Sequence, residues 1–188
     1  MLQKLLNTLA LGLTLAYPLA VYFGLQHFEP RVFGVLLGTV LLLRQWQSAR
    51  HFATSLAAAE WLAFAALGSY TLAIVASDSE MLLLLYPAVV SFSLLFVFGR
   101  SLIRPPTVIE RIARVTEPNL PPQGVAYTRR VTQVWCGFFS LNAAISIATV
   151  FATREAWLFY NGFIAYLLMG LLFAGEWLIR HRVRNRIA

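Results

Sequence analysis

Charge is scarce in this chain, and so are most side chains that ordinary active-site chemistry requires. Only 12% of the 188 residues are charged, against about a quarter in a water-soluble domain, which argues against a soluble globule. The one cysteine, Cys136, lies in an apolar run. A disulfide framework and a cysteine metal set are both excluded by that count. Cys136 has no base beside it in sequence, so it reads as a small packing residue next to Trp135 rather than a nucleophile. Histidine is limited to His27, His51 and His181, too dispersed to assemble a metal cluster by themselves. No Walker loop, dinucleotide glycine fingerprint or nucleophile elbow occurs. No metal and no cofactor are expected, and a non-enzymatic role is favoured.

What the chain has in quantity is hydrocarbon. Hydrophobic residues make up 59% of it, gathered into runs of about eighteen residues or more between short polar breaks, the pattern of membrane-spanning helices. None of these runs alternates polar and apolar at period two, which disfavours the strands of a membrane barrel. The fold expected is all-α: a polytopic membrane protein of about six spans, forming a single integral domain over 1–188. The spans read as Leu5–Gln26, Val32–Gln47, Phe52–Ala76, Met81–Gly99, Val131–Thr153 and Ala156–Arg180. A small residue at Ala20 raises the question of a cleaved leader, but Pro18 spoils the small-x-small pattern. The first span is therefore expected to be retained. No internal repeat is visible.

The formal net charge is +7, and its placement orients the bundle. Of the fifteen Lys and Arg residues, only Arg31 and Arg154 fall in the turns after spans one, three and five. The rest lie on the opposite side, so both termini and the loop 100–130 are expected in the cytoplasm. Because the basic residues belong to a membrane edge, nucleic-acid binding is not expected.

That loop is the long polar stretch of an otherwise oily chain, and it carries Arg100, Arg104, Arg111, Arg114, Arg129 and Arg130. Within it, "PPTVIERIARVT" contains a helix start. Thr107 can cap the first turn, and Glu110, three residues on, can reach back to complete a capping box. Val108, Ile109, Ile112 and Val115 fall to one side, with Glu110, Arg111 and Arg114 on the other. Such a helix, between spans four and five, is expected to lie along the bilayer surface with its arginines among lipid phosphates. "EPNLPPQG", with Glu117, Pro118 and Pro121, is expected as a stiff extended turn, because each proline fixes φ and restrains its predecessor. Tyr127, Arg129 and Arg130 are then expected at headgroup depth, followed by Trp135. A positive-inside anchor explains the charge but not the capping signal or the ordered prolines. The sharper reading is a shaped cationic surface that docks an anionic lipid headgroup or an acidic protein partner.

Inside the apolar runs two polar residues stand out. Glu60 lies about 15 Å beyond Arg50 at helical rise, and Asn142 lies at a similar depth on span five. The two are expected to meet in an intramembrane polar seam. An intramembrane carboxylate defaults to a functional hypothesis; the alternative is a protonated acid that joins two helices by hydrogen bonds.

The stretches "RSLIRPPTVIERIA" and "YTRRVTQVWCGFFSLNAAISI" resemble a family of uncharacterised bacterial inner-membrane proteins often encoded beside aryl-polyene or fatty-acid-like biosynthesis genes. More distantly, the order of Leu102 and Ile103, Leu120 and Pro121, Trp135, Phe138 and Phe139 before Asn142 is similar to the intracellular septation protein A family. The resemblance covers about residues 99–183 and carries no known catalytic residue. It implies a small polytopic inner-membrane protein linked to envelope or acyl-lipid-type biosynthesis or export, with an acyl carrier protein among the acidic partners it suggests. A small transporter or lipid flippase, acting as a homodimer with Glu60 and Asn142 along its path, is the alternative. A membrane enzyme using Glu60 or Glu110 as acid–base lacks a second convergent group.

Overall fold

The computed structural model describes residue 29, residues 31–36, 38–39 and 58–187, with side chains as far as residue 179. Among these residues every regular element is a helix and no strand occurs. The first two expected spans, Leu5–Gln26 and Val32–Gln47, lie outside the described residues apart from helical residues 31–36 and 38–39.

Two apolar runs joined by Asp78 and Ser79 fold as a tight hairpin of α1 (Ala58–Ser77) and α2 (Glu80–Ile103). Asp78 takes φ 48°, a left-handed conformation that a short polar side chain tolerates better than most. Ser79 then starts α2, its side chain accepting from the Leu82 amide at 3.4 Å. The Asp78 carboxylate accepts from the Arg31 backbone amide at 2.6 Å, tying in the segment that precedes α1.

Pro87 sits inside α2. Its nitrogen carries no hydrogen, so the helical ladder is interrupted one turn earlier. Carbonyls beside that gap accept donors from other helices: Tyr70 Oη donates to Leu82 O at 2.8 Å and Trp157 Nε1 to Leu84 O at 3.0 Å. Around these bonds Phe33, Ile74, Leu83, Tyr86 and Trp157 form the main buried apolar cluster.

After α2 the chain turns through Pro105 and Pro106 into the short α3 (Val108–Thr116), then into the long α4 (Pro122–Val150). Helix α4 starts about two turns before the expected span at Val131. Pro121 and Pro122 do not merely stiffen a turn: they occupy the N-cap and first helical position, where a missing amide and a fixed φ favour helix. The last hydrophobic run forms α5 (Arg154–Phe159), a π-helical segment (Tyr160–Ile164) and α6 (Ala165–Ile187).

Helices α2 and α4 run antiparallel in one register. Asn142 meets Ser91, Phe139 meets Phe98 with ring centroids 5.1 Å apart, and Arg129 reaches Leu102. The side chains turned away from these contacts are large and apolar, including Leu72 at 70% and Trp177 at 65% exposure. Water would penalise such a surface at about 25 cal/mol per Å², whereas lipid tails accept it. Among the described residues, four stretches are long and apolar enough to cross a bilayer: Ala59–Ser77, Glu80–Ile103, Pro122–Val150 and Arg154–Ile179.

Candidate functional site

The arginine-bearing segment is held by its own hydrogen bonds. Ser101, at the end of α2, accepts from the Val108 amide at 3.2 Å and donates to Phe98 O at 2.7 Å. Thr107 is buried and caps α3 by accepting from the Glu110 amide at 3.2 Å. The reciprocal half of the expected capping box does not form, because the Glu110 carboxylate is taken by Arg114 at 2.8 Å. Arg114 also donates to Pro118 O at 3.0 Å, pinning the turn that follows α3. Glu117 closes α3 through its amide to Ala113 O. Gly124 lies so close to Leu120 that an added Cβ would sit 2.9 Å from that side chain. Glycine permits the approach of turn and helix there.

Arg111 reaches across to α1 and forms a salt bridge with Glu60. Its Nη2 makes the contact, while its Nε is buried without a hydrogen-bond partner. The Glu60 side chain is 13% exposed and that of Arg111 32%, so the pair is half removed from solvent. The expected meeting of Glu60 with Asn142 does not occur. The hairpin register places Glu60 about 9 Å along the bundle from the level of Asn142, towards the arginine-rich end. Asn142 instead donates to Ser91 Oγ at 2.8 Å and accepts from Tyr160 Oη at 3.0 Å.

Beyond Asn142 the polar row continues through residues that sequence reasoning missed. Ser146 donates to Asn161 Oδ1 at 2.8 Å, and Asn161 Nδ2 donates to Thr149 Oγ1 and Trp157 O. Tyr160 and Asn161 begin the π-helical segment, a local widening often found where a helix carries function. The available signal was Asn161 itself, an amide within an apolar run. Every side-chain group in this row is bonded to another, so it fastens α2, α4 and the π segment together.

Trp135 faces the interior of the bundle. It is 5% exposed and packs against Phe98, Phe139 and Phe173, the last with ring centroids 4.7 Å apart. Tyr127 donates to Glu176 O at 3.3 Å, linking the start of α4 to α6.

The eight acidic residues of the chain all fall within the described residues. Their ion pairs join Arg31 to Glu29, Arg111 to Glu60, Arg114 to Glu110 and Arg154 to Glu80. Among the described residues, Arg100, Arg104, Arg129 and Arg130 therefore pair with no carboxylate. Arg129 donates to Leu102 O at 2.9 Å; Arg104, Arg129 and Arg130 are exposed and Arg100 is half-buried. The expected cationic surface thus divides into two neutralised arginines that shape the loop and four left with net charge. No group of His, Cys, Asp and Glu suited to a metal ion occurs among the described residues.

The class defined by this architecture is a helical membrane protein with an arginine-rich end. No family model matches the chain, and neither a curated protein nor a solved structure is significantly similar to it.

Proposed function

We propose that the chain is a non-enzymatic protein of the bacterial inner membrane that assists synthesis or export of an acyl-type envelope lipid. On this reading it crosses the bilayer about six times with both termini and the loop 100–130 in the cytoplasm. Helix α3 lies at the inner leaflet, with exposed Ile112 and Val115 towards lipid. The observation that carries the reading is the set of arginines without internal carboxylates: Arg100, Arg104, Arg129 and Arg130. They cluster at the facing ends of α2 and α4, where a span ends and phosphate begins. That placement favours an anionic lipid headgroup over an acidic carrier protein, although charge complementarity serves either.

The test is lipid and protein analysis of the purified membrane protein, comparing wild type with the R100Q/R104Q/R129Q/R130Q variant. Loss of a co-purifying anionic lipid supports headgroup docking. Loss of an acyl carrier protein instead would move the assignment to that partner, and unchanged recovery of both would refute docking. The transporter alternative is the weaker reading. Glu60 and Asn142 would have to line one polar path, yet each is closed on partners of its own.

A further inference from the structure

Helices α4 and α6 are tied at both ends and separate between them. At the arginine-rich end Tyr127 bonds Glu176 O and Trp135 meets Phe173. At the far end Asn161 bonds Ser146 and Thr149. Between these ties lies an open apolar groove of about 390 Å³, lined by Val134, Gly137, Phe138 and Leu141 from α4 and by Leu168 and Leu171 from α6. Its lining is wholly apolar, a surface that suits an alkyl chain. Small-molecule pockets begin at about 300 Å³.

The groove has a cation at its foot. Arg130, Val134, Gly137, Phe138 and Leu141 follow the spacing that places residues on one helix face, so Arg130 lies one turn below the apolar lining. It is exposed and has no carboxylate partner among the described residues. From Arg130 to Leu141 the stripe extends about 16 Å, charge at one end and hydrocarbon along the rest, the same order as a phospholipid. The geometry points to a binding site for one anionic phospholipid, its acyl chain in the α4–α6 groove and its phosphate on Arg130. This rests on the membrane orientation and headgroup docking proposed above, and assigns that docking a defined position.

Gly137 provides the means of testing it. A Cβ added there meets nothing within 4 Å, and Gly→Leu raises helix propensity, so Gly137→Leu fills the groove without disturbing the fold. Leu171→Trp fills it from the opposite wall. The full-length protein is purified in detergent and offered phosphatidylglycerol and phosphatidylcholine with identical acyl chains, and bound lipid is counted by native mass spectrometry. Wild type is expected to retain one phosphatidylglycerol per chain, preferred about fivefold, the discrimination one arginine supplies near a phosphate. Both filled variants lose retention of either lipid at least about tenfold, a shift clearly resolved on the affinity scale. Arg130→Gln removes the preference for phosphatidylglycerol over phosphatidylcholine.

Wild-type retention in both filled variants, or an intact preference in Arg130→Gln, would overturn the assignment. If it fails in that way while R100Q/R104Q still loses the anionic lipid, the groove is wrong and headgroup docking elsewhere on the arginine-rich end stands. If R100Q/R104Q leaves retention unchanged while the filled variants lose it, the groove is upheld as the lipid's site.

Discussion

Glu60 and Arg111 are the acid and base that fasten the short α3 to the first described span, across 51 residues of chain. Without that bridge α3 would keep its cap, the Ser101 bond to Val108 and the α4 face, but lose its tie to α1. Glu60→Gln is expected to cost about 1–3 kcal/mol, between the values for exposed and for broken buried pairs. A double-mutant cycle of Glu60→Gln with Arg111→Gln should return a coupling energy of the same sign. Additive effects would show that the pair contributes nothing to holding α3.

Thr107 is expected to matter through one hydrogen bond. Thr107→Ala removes the acceptor for the Glu110 amide and should destabilise α3 by about 1 kcal/mol, with Thr107→Ser restoring most of it. Amide hydrogen exchange over residues 108–116 reads the change directly. Equal protection in the alanine and serine variants would remove the cap from the account.

In the bundle interior, Asn142 and Tyr160 form a testable pair. Tyr160→Phe leaves Asn142 Oδ1 without its donor, and the expected loss is about 0.6–2 kcal/mol, the range for interhelical hydrogen bonds in membranes. Ser91→Ala should be of similar size and should couple to Asn142→Ala. Thermal unfolding in detergent measures both.

Trp135 separates two accounts of its role. A headgroup anchor would tolerate Trp135→Tyr and lose little on Trp135→Ala. A buried ring against Phe98, Phe139 and Phe173 should cost about 3 kcal/mol on truncation to alanine, as large-to-small core changes do. The same unfolding measurement decides between them.

These sites also mark what the sequence disclosed and what it withheld. Apolar run length made the last four spans legible, and Thr107 announced the start of α3 because a cap acts within four residues of itself. Position along the chain says nothing of which face a helix presents to its neighbour. The inward packing of Trp135 was therefore not legible, and Glu60 was matched with Asn142 although it pairs with Arg111. Pro121 and Pro122 suit an extended turn or a helix start, and only the chain beyond them decides. The split among the arginines could not be read at all, because it depends on which carboxylates fold against them.

The account depends most on the side of the membrane that receives the unpaired arginines. With Cys136 replaced by serine, single cysteines at Asn119→Cys, in the turn after α3, and Glu155→Cys, at the start of α5, report the two ends of the bundle. Both positions are exposed. A membrane-impermeant maleimide applied to spheroplasts should label Glu155→Cys at once and Asn119→Cys only after the membrane is permeabilised. Labelling of Asn119→Cys in intact spheroplasts, with Glu155→Cys protected, would place the arginine-rich end outside and contradict the docking surface and the orientation of the lipid groove together.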